Sequence, residues 1–192
     1  MHLKLDSKHK VEPLTSQNWD KFEELFGRLQ GANGGCWCMW WRLPRPEWQA
    51  LTKEERRTRF KQIVRRKEHV GVLLFKDDIA VGWCAVTPPG SLPTFERSHV
   101  SKSIDEIKAW RVSCFFVKAG YRNQGYMRYL LQGAIWFAKT NKAPALDAFP
   151  QVMKGRAGYV DTFIGVDSSF RACGFKMIEP RGKFRCAMRI EL

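Results

Sequence analysis

Apolar positions along the chain change period several times, and each change marks an element. Trp19, Phe22, Phe26 and Leu29 recur at helical spacing with Leu25 beside them, so residues 18–29 predict an amphipathic helix opened by Thr15 or Ser16. Gly31 to Pro46 reads as a loop punctuated by Gly34, Gly35, Pro44 and Pro46. It contains the aromatic stretch Cys36-Trp37-Cys38-Met39-Trp40-Trp41-Arg42. Thr52 and Glu55 form a capping box ahead of a basic helix that ends near Lys67, with Phe60, Ile63 and Val64 as its apolar stripe. Val70 to Phe75 and Ile79 to Thr87 predict strands joined through Lys76-Asp77-Asp78. Pro88 to Asp105 is a long connection, of a length that is often functional.

The second half continues in the same way. Trp110 to Val117 is a strongly apolar strand, followed by Tyr121-Arg122-Asn123-Gln124-Gly125-Tyr126-Met127 running into a helix. Met127, Leu130, Leu131, Ala134, Ile135 and Ala138 mark one face of that helix. Ala145 to Phe149 is a short strand ended by Pro150, and Ser168 to Cys173 a short helix stopped by Gly174. Phe184, Cys186, Met188 and Ile190 alternate with Arg185, Ala187, Arg189 and Glu191, the pattern of a half-buried final strand. Helix, helix, hairpin, strand, helix, strand, short helix and two strands together predict an α/β fold, a mixed sheet with helices on its faces.

With 192 residues and no repeat or low-complexity linker, a single domain over 1–192 is expected. The hydrophobic fraction of 44% excludes a disordered chain. No apolar run approaches the roughly 20 residues that span a bilayer, and the polar tail Met1 to Lys10 has no signal-like segment. A soluble, cytoplasmic protein without membrane contact is expected. The six cysteines then read as buried thiols. The net charge of +14 attracts polyanions, whether nucleic acid, a membrane surface or a phosphorylated ligand.

The segment from Cys114 to Met127 carries the chemistry. A strand runs into a tight turn with Gly125 and a helix starts at once. The first N–H groups of a helix lack internal partners, and the helix dipole adds positive charge there. Gly125 permits close backbone approach, and Arg122 adds a fork of donors, so the segment suits a diphosphate. The local pattern fits equally a helix start with a solvated arginine.

Phe115-Phe116-Val117 followed by Tyr121-Arg122-Asn123-Gln124-Gly125 resembles motif A of the GNAT superfamily of acetyltransferases, Arg/Gln-x-x-Gly-x-Gly/Ala. Met127 stands where the family prefers Gly or Ala. Val70 to Pro89, with Gly82-Trp83, is similar to the family's central hairpin, and Phe170-x-x-x-Gly174-Phe175 to its late helix-to-strand turn. The Gly34-to-Arg42 segment is similar to that of a subset of bacterial members.

The resemblance implies an acetyl-CoA-dependent N-acetyltransferase. Residues 1–69 would form N-terminal helices and an acceptor-side loop, and 70–192 the acetyl-CoA core. It implies that strands Trp110–Val117 and Ala145–Phe149 splay apart around pantetheine. Backbone groups of Phe115 and Val117 would bind that arm, an N–H near Phe116 or Val117 would face the oxyanion, and N–H groups from Arg122 to Met127, through Asn123, Gln124, Gly125 and Tyr126, would hold the diphosphate. Phe170 would stand beside the cofactor where many members carry a Tyr acid.

Proton transfer needs a base or a water path. Asp147 is the first candidate, with a structural carboxylate as the other reading; Tyr159 and Asp161 follow in the next loop. Of the histidines, His2 and His9 fall in the tail and His69 and His99 in loops, and none is chosen. Trp37, Trp40 and Trp41 either line an acceptor pocket or plug the core. Cys36-x-Cys38 has no second pair to complete a zinc site, so no metal is expected. The acceptor is expected to be a small-molecule or peptide amine, and the assembly a monomer or homodimer. Two competing functions are a non-catalytic acyl-CoA sensor and a nucleic-acid module using the basic helix. The latter is disfavoured because its aromatics do not interleave with the charges.

Overall fold

The structure, a computed structural model, describes residues 1–27, 32, 34–152 and 162–192. Its strands form one eight-stranded sheet in the order β1-β2-β3-β4-β5-β6-β8-β7. In chain order these are β1 (Leu3–Lys4), β2 (His9–Pro13), β3 (Gly71–Lys76), β4 (Ile79–Thr87), β5 (Trp110–Val117), β6 (Ala145–Ala148), β7 (Lys176–Pro180) and β8 (Cys186–Glu191). All neighbours are antiparallel except β5 and β6. A parallel pair needs a crossover, supplied here by helix α5 (Tyr126–Thr140). The other helices are α1 (Trp19–Phe26), α2 (Arg45–Ala50), α3 (Lys53–Arg65), α4 (Pro93–Arg97) and α6 (Asp167–Arg171). Leu29, at the end expected for the first helix, lies outside the described residues. Among the described residues no helix is long and apolar enough to cross a membrane.

The sheet is buried on both faces, which explains why its central strands read as continuous apolar runs. Leu130, Leu131, Ala134 and Phe137 of α5 pack with Val72, Leu74, Val112 and Phe115 on one face. Phe22 and Phe26 of α1 and Phe60 and Val64 of α3 pack with Leu73, Phe75 and Trp83 on the other. Gly133 of α5 sits directly on β2, where an added Cβ would lie 2.5 Å from Val11 Cγ1. Gly133→Ala is therefore expected to cost about 2 kcal/mol by overpacking, or roughly 4–8 °C in melting temperature for a chain of this size. Thermal unfolding followed by circular dichroism measures it, and Val11→Ala in the same chain should recover part of the loss.

Several elements differ from expectation. The N-terminal tail contains β1 and β2, and His9 packs in tilted contacts against Tyr126 and Tyr129 at ring separations of 5.5 and 4.8 Å. An edge strand with a single inward apolar residue, Val11, carries no alternation to read. His69 packs on Trp110 and Phe137. Helix α2 begins within the stretch expected to be loop, and α4 interrupts the long connection. Strand β8 begins at Cys186 and is buried on both faces through Arg189, whereas Phe184 is exposed.

Helix α3 keeps its expected capping box at Thr52 and Glu55. Several of its basic residues are engaged within the protein. Arg56 is buried and donates to the carbonyls of Gly35, Trp48 and Leu51. Arg57 pairs with Glu23 and Glu54, and Arg59 with Glu47. These contacts fasten α3 to α1, to α2 and to the loop at Gly35.

Candidate active site

The site grows from the parting of β5 and β6. Their register covers Trp110↔Leu146, Arg111↔Asp147 and Val112↔Ala148 and then stops, while β5 continues to Val117. Beyond Ala148 the chain stays with β8: Cys186 N–H donates to Pro150 O and Val152 N–H to Phe184 O. On its other side Gln151 bridges Val166, donating to Gly165 O and accepting from Asp167 N–H. Among the described residues, the β6-facing edge of β5 past Val112 is thus left without a strand partner. The splay expected of these two strands is present.

Gly165 and Phe170 keep the strands apart. Gly165 has φ +80°, and an added Cβ would lie 2.8 Å from Phe170 and 3.3 Å from Phe115. Phe170, expected beside the cofactor, is fully buried between Phe115 and Phe175 in edge-to-face contacts at 5.8 and 5.1 Å. It acts as a hydrophobic wedge against β5.

The end of β5 leads into the anion cradle. Asn123 (φ +60°) and Gly125 (φ +78°) both adopt left-handed backbone, and Gly125 is the N-cap of α5. The capping position lacks a side-chain bond, and the first amide to reach back to a carbonyl is that of Arg128, to Gly125 O. Arg122 Nε donates to Val117 O at 3.0 Å, which fixes the guanidinium beside the turn, and Gln124 Nε2 braces it on Gly120 O. Residues 122–125 are exposed. Tyr126 is buried toward His9 and Tyr121, and Met127 packs against the core. The Met127 side chain is thereby accounted for without crowding the turn.

A bulge on β5 puts Ser113 and Cys114 at the opposite face of the sheet from α5. There they line a cavity of about 20 Å³ with Trp40, Trp41, Arg42 and Leu92. The loop over it is clamped: Thr94 N–H donates to Trp41 O and Thr94 Oγ1 to Leu43 O, while Arg42 Nη1 donates to Ser91 O. Trp40 and Trp41 therefore line the pocket. Trp37, grouped with them on sequence, does not: it is 1% exposed and stacks on Phe26 in the α1 core. Burial pushes the Cys36 thiol up to about 12 and the Cys38 thiol well above its ordinary value. Such thiols stay protonated at neutral pH and are poor nucleophiles.

Asp147, the first candidate base, has no exposed surface. Arg189 donates to it at 2.6 and 3.0 Å and Arg111 at 2.5 Å, and Arg189 also binds Asp105 at 2.6 Å. A carboxylate whose oxygens are engaged by two guanidiniums and sealed from solvent is not placed to take an amine proton. Of the two readings the sequence left open, this geometry favours the structural carboxylate over the base. The strand pattern could not show this, because Arg111 and Arg189 meet Asp147 only through the sheet register. Tyr159 and Asp161 lie outside the described residues. Sequence reading also passed over Arg42, Ser113 and Cys114, although Arg42 sits at the end of the aromatic stretch already singled out.

Residues 37–157 match the profile of the acetyltransferase (GNAT) family. No curated protein matches the chain in sequence. Among solved structures, an acetyltransferase from Thermus thermophilus aligns at TM-score 0.52 and 15% identity over 100% of both chains. The ribosomal-protein-S5-alanine acetyltransferase of Vibrio fischeri aligns at TM-score 0.57 and 13% identity, over 100% of this chain and 96% of its own. YncA from Salmonella typhimurium, solved with its cofactor acetyl-CoA, aligns at 0.55 and 10%, over 97% and 95%. At these identities the likeness is one of fold.

Proposed function

The chain belongs to the GNAT acetyltransferase family, and from that premise we propose that it transfers the acetyl group of acetyl-CoA directly to a primary amine of a small molecule or peptide. The observation that carries this reading is the edge of β5 past Val112, which has no strand partner among the described residues and is continuous with the left-handed turn that opens α5. Main-chain groups of Phe115, Phe116 and Val117 are available to align an extended amide-bearing arm. Backbone N–H groups from Arg122 to Met127, with the Arg122 guanidinium, suit a diphosphate. The acceptor amine enters from the opposite face, past Trp40 and Trp41. A backbone N–H on β5 would then oppose the developing oxyanion, a contribution on the order of 3 kcal/mol. With Asp147 withdrawn and no other base assigned, the amine proton is proposed to leave through water. The peptide option draws support from a fold neighbour named for acetylating a ribosomal-protein alanine. A cytoplasmic location goes with this reading.

Acetyl-CoA at about a hundred times its Kd is expected to add about 2.7 kcal/mol to stability, or roughly 5–10 °C in melting temperature. An amine screen following free-thiol release then tests turnover. Unchanged melting at saturating acetyl-CoA would sink the reading, and a shift without turnover of any amine would favour an acyl-CoA sensor.

A further inference from the structure

The loop that carries Trp40, Trp41 and Arg42 over this cavity holds two buried donors without acceptors. Arg42 Nε is sealed from solvent and unpartnered, and so is Trp41 Nε1. Both residues line the cavity, facing Ser113 and Cys114 of β5. Buried N–H groups are usually paired; Arg111 Nε and Arg181 Nε also lack partners, but here two such donors sit on adjacent residues that line one cavity.

Arg42 also differs from the arginines around it. Arg57, Arg59, Arg66, Arg111 and Arg189 each pair with a carboxylate. Arg56 lacks one but has its donors engaged by three backbone carbonyls. Among the described residues Arg42 makes one hydrogen bond, from Nη1 to Ser91 O at 3.3 Å, and faces the Phe60 ring at 5.7 Å. Burial lowers its guanidinium from the ordinary value.

Carbonyl and oxyacid oxygens accept from an arginine fork and an indole N–H while donating nothing; of these an anion also supplies the missing counter-charge, and a planar carboxylate is the smallest. We propose that Arg42 and Trp41 form a carboxylate receptor, so that the amine acceptor of this enzyme is an amino acid or peptide whose carboxylate docks there while its amine reaches β5. This rests on the acetyltransferase reading for the site. About 20 Å³ is room for one functional group, so the rest of the acceptor extends outward over the Trp40 and Trp41 rings.

The test compares matched amines by thiol release: phenylalanine, phenylalaninamide and phenethylamine for the free amino acids, and a glycyl tripeptide acid and its amide for peptides. The acid of each set is expected to be preferred by about thirtyfold in kcat/KM, the worth of a charge-assisted bond. Arg42→Ala should abolish that preference through KM while leaving acetyl-CoA affinity intact, and Arg42→Lys should restore part of it. Equal turnover of acids and amides, or a preference that survives Arg42→Ala, overturns the proposal. A second arm needs no turnover: tryptophan fluorescence is titrated with 3-phenylpropionate and with 3-phenylpropanamide, on the wild type and Arg42→Ala. Saturable binding of the acid alone, lost in the variant, supports the receptor; no saturable binding overturns it. If acetyl-CoA still raises the melting temperature, only the receptor has failed. If it does not while the acid still binds, only the acetyltransferase reading has failed.

Discussion

Asp147→Ala is expected to destabilise the protein by about 4 kcal/mol, because it leaves two arginines buried without their shared counter-ion. Arg111 and Arg189 are 2% and 7% exposed and converge on a carboxylate with no exposure. In a chain of this length the loss corresponds to roughly 8–16 °C in melting temperature. Asp147→Asn, which keeps an acceptor but removes the charge, should fall between the variant and the wild type. Calorimetry decides the matter against the catalytic alternative. A base would lose turnover while melting normally, and that outcome would refute the structural role. The network also has a pH signature. Asp105 is held below the usual carboxylate range by its bonds to Arg189, with the Ile107 amide assisting. A depressed carboxylate stabilises the fold above its unfolded pKa and loses that contribution as pH falls through the folded value. The clamp on β5, β6 and β8 should therefore loosen on the acid side and be indifferent to alkali.

Gly125→Glu is expected to weaken acetyl-CoA binding by at least about a hundredfold, equivalent to roughly 2.7 kcal/mol, with a smaller effect on folding. An added Cβ at Gly125 meets nothing within 4 Å, so no clash obscures the result. The left-handed φ of +78° costs a side-chain-bearing residue about 1–2 kcal/mol. The larger effect is electrostatic: a carboxylate at the opening of α5 would neutralise the helix end and repel the phosphates. Gly125→Ala isolates the backbone strain and should retain most of the affinity. Isothermal titration with acetyl-CoA measures both variants, and undiminished binding by Gly125→Glu would remove the turn from the cofactor site.

Local signals in the chain were legible to the extent that they were self-contained. The capping box at Thr52, the period of α5, the apolar run of β5 and the glycine turn at Gly125 each depend on neighbours within a few residues, and each stands where the pattern put it. The family motif belongs to this class, since strand, turn and helix are contiguous. Strand β2 was illegible because an edge strand with one buried residue owes its existence to hydrogen bonds with β3, which lies over 50 residues further along the chain. The fates of Asp147 and Trp37 had the same character. An aspartate in an apolar strand is ambiguous until the register brings Arg111 and Arg189 against it. One tryptophan of three enters the core because Trp37, with φ +47°, turns toward Phe22 and Phe26 while Trp40 and Trp41 turn toward the cavity. Composition and spacing thus specify which elements form and what chemistry they can carry. Which charges meet, and which are left without a partner, follows from packing between residues far apart in sequence, because the strength of a Coulomb pair depends on distance and burial rather than on order along the chain.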